Sequence, residues 1–248
     1  MSKKNNVYIK KARRRRTIKR FIIFAFILMI SGWYIIFRTD IFKITTVECV
    51  GDNLLTKDFV TQKVESLNGE NLFSVSEQDV EDLLKENPYV KSITVNKKYP
   101  KSLVVSVTEA SGLYYINEGS SYGIVSKGLV LLERTSSIEG KKLIEIKGID
   151  ITGKTLGEKI EDNTRVEKLL EEFYKEEEII RKNEEIFSIN SIEIKDLSQI
   201  KANFGQIVII LGNDEDIRTK MSNAIKVYKS GLAKEYINVS SNGSPSYK

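Results

Sequence analysis

The 248-residue chain has no histidine and a single cysteine, Cys49. Without histidine it lacks the commonest general base and the commonest transition-metal ligand. One cysteine excludes an intramolecular disulfide, and an exported chain without disulfides fits a bacterial cell surface better than a eukaryotic secretory route. Cys49 lies in the alternating stretch Val47-Glu48-Cys49-Val50, where a small packed thiol is a simpler reading than a reactive one. Also missing are G-x-S-x-G, a P-loop, S-x-x-K and any cluster with metal-ligand spacing. The cluster Glu176-Glu177-Glu178 reads as the solvated face of a helix rather than as acid–base chemistry. Binding is therefore the default function, with no catalytic residue, cofactor, metal or small-molecule substrate indicated.

Acid is absent from Met1–Arg20, which carry ten Lys or Arg, and no charge of either sign interrupts the seventeen residues Phe21–Phe37. As a helix this run rises roughly 26 Å, and Arg20 and Arg38 can snorkel to complete a span of about 30 Å. Trp33 and Tyr34 lie near one end, where amphipathic rings favour the water interface. A cleaved signal peptide is the rival reading, but Ser31-Gly32 is followed at once by the bulky Trp33–Phe37, which leaves no small-x-small cleavage site. An uncleaved anchor follows, single-pass type II in the cell membrane, with the basic tail cytoplasmic and the remainder extracytoplasmic. Arg13, Arg14, Arg15, Arg16, Lys19 and Arg20 set that orientation and touch anionic lipid, each worth about 1 kcal/mol near the surface.

The overall charge of +5 averages two compartments. Residues 39–248 hold 28 Lys+Arg against 34 Asp+Glu, a net charge of −6, and nothing there suggests nucleic acid. Ile44–Glu109 reads as a β-α-α-β-β unit. Thr45–Val50 alternates as a strand and Gly51-Asp52-Asn53 turns the chain. Thr56 caps a helix bearing Phe59, Val60, Val64 and Leu67. Ser76, with Asp79 in an S-x-x-D cap, starts a second helix whose buried stripe is Val80, Leu83 and Leu84. Asn87-Pro88 stops it, and strands around Ile93–Val95 and Leu103–Val107 pair as a hairpin.

Beyond Leu113 the pattern is strand-rich: Leu113–Asn117, Ile124–Val125, Leu129–Glu133 and Leu143–Ile146, then a helix over Asn163–Lys182 with Val166, Leu169, Leu170, Phe173 and Ile180 on one face. Strands follow at Ile189–Ile194, Ile200–Phe204 and Ile207–Leu211, the last two in a tight hairpin through Gly205-Gln206. A helix striped by Ile217, Met221, Ile225 and Tyr228 leads to a last strand at Lys234–Ser240 and a loose polar tail, Ser241–Lys248. Two N-x-S triplets, at Asn238 and Asn242, are short enough to arise by chance.

A basic tail, one span and a β-α-α-β-β unit resemble the bacterial divisome family FtsQ, called DivIB in Gram-positive bacteria. The unit resembles that family's POTRA domain at Gly69-Glu70-Asn71-Leu72-Phe73, Pro88-Tyr89-Val90-Lys91 and Tyr99-Pro100-Lys101-Ser102-Leu103, with Val104–Thr108 running into Glu109; Ala110 replaces the family's usual Arg. The second half resembles the family's β domain in Gly148, Gly157, Ile207–Gly212 and Tyr236-Ile237-Asn238-Val239 with Ser244-Pro245-Ser246-Tyr247.

The resemblance implies an α+β protein: a cytoplasmic tail (1–20), a transmembrane anchor (21–37), a POTRA domain (42–110), a mixed strand-rich β domain with flanking helices (111–240) and a flexible tail (241–248). It implies a non-enzymatic scaffold at the midcell septum that binds FtsL and FtsB/DivIC-type membrane proteins and helps assemble or regulate the septal peptidoglycan synthase complex. The family's last strand pairs with an extended segment of the FtsB-type partner, which points here to Tyr236, Ile237, Asn238, Val239, Ser240 and Ser241. An edge strand leaves N–H and C=O groups that an incoming chain satisfies. Tyr236 is either the anchor of that contact or a core residue at the strand's start. The competing classes are another membrane-anchored POTRA-type assembly or transport module, and a signal-anchored cell-wall enzyme. A transmembrane barrel, which outer-membrane POTRA proteins carry, needs many strands of about ten residues.

Overall fold

The computed structural model describes residues 3–51, 55–182, 189–241 and 243–248. Asp52 and Asn53 of the expected turn, Asn242 of the second triplet, and the side chains of Arg13, Arg15, Glu176, Glu177 and Ile180 lie outside the description. The chain divides into two compact units, Met1–Lys85 with Ser92–Thr108, and Glu86–Lys91 with Glu109–Lys248.

In the first unit one helix, α1, runs from Lys3 to Arg38, so the basic tail and the apolar run are continuous. Its segment Arg16–Arg38 is long and apolar enough to cross a membrane. A backbone in hydrocarbon must satisfy its own polar groups, which a helix does everywhere except at its ends. At the C-terminal end the Thr39 hydroxyl donates to the Ile35 carbonyl at 2.5 Å, and the Asn71 side-chain amide donates to the Ile36 carbonyl at 2.6 Å.

After a 3-10 turn at Asp40–Phe42, β1 (Thr46–Val50), α2 (Lys57–Glu65), α3 (Glu77–Leu84), β2 (Val90–Lys98) and β3 (Ser102–Glu109) follow in the β-α-α-β-β order. The sheet order is β1-β3-β2, with β1 parallel to β3 and Cys49 opposite Val105. Cys49 is half-buried and its thiol pKa is pushed up, chiefly by burial, which suits packing rather than reactivity. Ser76 and Asp79 form the expected capping box: the Asp79 amide donates to Ser76 Oγ at 3.1 Å and the Ser76 amide to Asp79 Oδ2 at 2.7 Å. The Ser76 hydroxyl also donates to Asp79 Oδ2 at 2.7 Å, and that bond foremost, with the one from the Ser76 amide, holds the Asp79 carboxyl below its usual range.

Two expectations change. Thr56 precedes α2 in helical geometry and makes no side-chain cap; it is fully buried instead. Val80 and Leu84, four residues apart, are the fully buried line of α3, whereas Leu83 is only half-buried at the margin of that face.

The second unit is a nine-stranded sheet backed by two helices. Its strands are β4 (Gly112–Asn117), β5 (Tyr122–Ser126), β6 (Leu131–Thr135), β7 (Ile144–Lys147), β8 (Ile189–Glu193), β9 (Ile200–Phe204), β10 (Ile207–Gly212), β11 (Tyr236–Asn238) and β12 (Ser246–Tyr247); the helices are α4 (Thr164–Lys182) and α5 (Ile217–Lys229). The order is β12-β11-β10-β9-β8-β7-β4-β5-β6. Pairing is antiparallel except that β7 runs parallel to β4 and β8, and β11 parallel to β10. Strand β6 starts two residues later than the apolar pattern indicates, because Leu129 takes φ 59° and breaks the extended run. Val166, Leu169, Leu170 and Phe173 of α4 and Ile217, Met221 and Ala224 of α5 join one core with Ile146, Ile192, Ala202 and Ile209. The buried Tyr114 hydroxyl donates to the Leu170 carbonyl at 2.9 Å, pinning α4 to β4.

Candidate partner-binding edge

The strand expected over Lys234–Ser240 contracts to β11, three residues long. The Asn238 side-chain oxygen accepts from the Ser240 amide at 2.9 Å, a local turn that takes Ser240 out of the extended ladder. In the parallel register Val208, Ile209 and Ile210 oppose Tyr236, Ile237 and Asn238. The Val208 amide donates to the Glu235 carbonyl at 3.1 Å and the Val239 amide to the Ile210 carbonyl at 2.9 Å. Since strand residues alternate the side to which their polar groups turn, those of Tyr236 and Asn238 face away from β10.

That outward row is not empty. The tail read as loose pairs antiparallel with β11 through β12, Ile237 opposite Tyr247 and Asn238 opposite Ser246. The Lys248 amide donates to the Tyr236 carbonyl at 3.2 Å, and the amides of Lys234 and Glu235 both donate to the Lys248 carbonyl at 2.7 Å. An ion pair of 3.0 Å between Lys248 Nζ and Glu235 Oε2 completes the closure. Ser246–Lys248 are thus the residues of this edge that the sequence reading missed. Two paired residues carry no periodicity, and the only hint was an alternating Ser-Pro-Ser-Tyr.

Side chains divide by face. Ile237 is fully buried and Val239 nearly so, both in the helix-backed core, whereas Tyr236 and Asn238 are half-buried and Ser240 and Ser241 exposed. Ile237 and Val239 therefore hold the strand in place. Tyr236, on the alternate face, is neither a fully buried core residue nor a free one.

The support behind the edge is polar. Arg165 of α4 grips Asp214 with two bonds of 2.8 and 2.6 Å, and this guanidinium keeps the Asp214 carboxyl below its usual range. Lys220 of α5 is 5% exposed and donates to the Asn213 carbonyl at 3.0 Å and side-chain oxygen at 2.6 Å; burial lowers its pKa. Both contacts fix the loop between β10 and α5. Among the described residues no group of three or more His, Cys, Asp or Glu is placed to hold a metal ion. Arg14, Arg16, Lys19 and Arg20 are exposed along α1 in the first unit.

An N-terminal apolar helix that fits a membrane anchor, a β-α-α-β-β module and a broad mixed sheet define a protein with a POTRA-type domain, and residues 42–110 match the family description "POTRA domain, FtsQ-type". The chain is 27% identical over 209 residues to the cell division protein DivIB of Clostridium acetobutylicum, covering 83% of this chain and 82% of that protein. It is 26% identical over 250 residues to DivIB of Clostridium tetani (98% and 93% covered) and 24% over 243 residues to DivIB of Clostridium botulinum (96% and 94%). These matches, the domain and the relatives together, support the FtsQ/DivIB family of cell division proteins.

Proposed function

We propose that this divisome protein is a non-enzymatic scaffold that receives an extended segment of an FtsB/DivIC-type partner along β11 and acts with an FtsL-type protein in organising septal peptidoglycan synthesis at midcell. The observation that carries the reading is the edge itself: the outward groups of Tyr236 and Asn238 accept a strand, supplied here by the chain's own last residues. That strand is only Ser246–Tyr247 long, so an incoming segment that pairs with more residues replaces it at a net gain in backbone hydrogen bonds. Backbone pairing supplies affinity, while Tyr236 and Asn238, on alternate positions of the strand, supply specificity.

Asn238→Pro tests this edge. It removes an outward amide and leaves the buried Ile237 and Val239 in place. The variant should keep its fold by circular dichroism and lose co-purification with the FtsB-type partner. Undiminished co-purification would move the binding surface elsewhere. Deleting Tyr236–Lys248 is a poorer test, because Ile237 and Val239 belong to the core and their loss would unfold the unit.

The scaffold's orientation follows from ten basic residues before the apolar run against Arg38 and Lys43 soon after it, which favours a cytoplasmic N-terminus. Protease added to intact, wall-stripped cells should digest residues beyond Phe42 and spare an N-terminal tag; a protected C-terminal tag would reverse the topology.

A further inference from the structure

Three aromatic rings from separate parts of the first unit stack immediately beyond the end of α1. Phe42 meets Phe73 edge-on, centroids 5.0 Å apart, and Phe73 meets Tyr99 at 5.2 Å. Instead of closing into the core, this row stays open: Phe73 is 41% exposed, Tyr99 58%, and neighbouring Ile41 49%. A contiguous apolar surface of this kind marks a contact with something other than water.

Its position says what that is. Asn71, two residues before Phe73, bonds the Ile36 carbonyl in the last turn of the membrane helix, and the Leu72 amide donates to the Phe42 carbonyl at 2.8 Å. The Thr45 amide donates to the Lys101 carbonyl at 2.9 Å, tying the hairpin turn that carries Tyr99 to the same segment. The rings are therefore held at the level where α1 leaves the hydrocarbon, within a headgroup zone about 5–8 Å deep, roughly one helical turn. Aromatic rings favour that zone. Arg38 and Lys101 lie in the same segments and bring positive charge suited to anionic headgroups, while the charge of Lys43 is offset by Asp40 at 2.8 Å.

We propose that Ile41, Phe42, Phe73 and Tyr99 form an interfacial foot that seats the POTRA domain in the headgroup layer of the membrane crossed by α1. The domain then stands on the bilayer at two places, helix and foot, instead of swinging on a single tether. The proposal rests on α1 being a membrane anchor, and the native Trp33, the only tryptophan, tests that separately.

The experiment uses the full chain in vesicles of phosphatidylglycerol and phosphatidylcholine, with and without lipids brominated near the headgroup. In the wild type, Trp33 should be quenched by the brominated lipid, which reports insertion of α1. On a Trp33→Phe background, Phe73→Trp and Tyr99→Trp, made separately, should each lose at least half their emission to the brominated lipid and resist aqueous iodide. Quenching of Trp33 with no lipid quenching at positions 73 and 99, and full access to iodide there, would overturn the foot and leave the anchor standing. Shielding from iodide that grows with protein concentration, without lipid quenching, would also overturn it and assign the face to a second copy. Absence of lipid quenching at all three positions would overturn the anchor and the foot together.

Discussion

Leu84→Asp should abolish the folded state of the POTRA unit. Leu84 is fully buried on α3, and the change removes its apolar contacts and places a carboxylate in a site closed to water. The combined loss is about 4 kcal/mol or more, most of what a domain of this size has to lose. Hydrogen exchange on the full chain should show protection of β1, α2, α3 and β3 disappearing while the core strands of the second unit keep theirs. Leu83→Asp makes the comparison sharp: half-buried at the edge of the stripe, it should cost about 1 kcal/mol and leave protection measurable. Equal effects of the two substitutions would mean that the helix presents a different face.

Gly148→Ala should be nearly as damaging to the second unit. Gly148 follows β7 with φ 100°, in the region that L side chains rarely adopt. A Cβ there would lie 2.5 Å from the Lys195 amide nitrogen and 2.6 Å from its Cα, backbone atoms that cannot step aside without dislodging the residues that follow β8. Strain and clash together should cost about 3 kcal/mol. Gly153→Ala separates the two terms, since Gly153 has φ 78° but open space where its Cβ would stand. It should cost only about 1 kcal/mol, the conformational share alone. Thermal unfolding of the two variants checks the difference, and similar melting temperatures would show that the close approach to Lys195 relaxes freely.

The POTRA-type unit was legible for a local reason. Each of its elements carries its own signal: alternation in Thr46–Val50, a capping box at Ser76 and Asp79, and a proline at position 88 that ends the second helix. Where the reading slipped, it did so by single residues, as with Leu83, because an eight-residue helix samples barely two turns and a stripe's margin depends on what packs against it. Thr56 looked like a cap because its type suits one; the packing of α2 buried it.

By itself the sequence determined the anchor, the order of elements, the pairing of β9 with β10 through Gly205-Gln206, and the strand that contains Tyr236. Each follows from charge, periodicity or turn chemistry within a short stretch. Only the tertiary structure decided that β7 lies between β4 and β8, and that Lys248 closes over Tyr236. The same holds for Asn71 reaching the end of a helix 35 residues earlier, and for Phe73 meeting Tyr99. Those contacts join segments distant in the chain through backbone groups and ring faces that no local pattern encodes. They form because an unpaired strand edge and an uncapped helix end each cost free energy that the nearest fitting segment relieves.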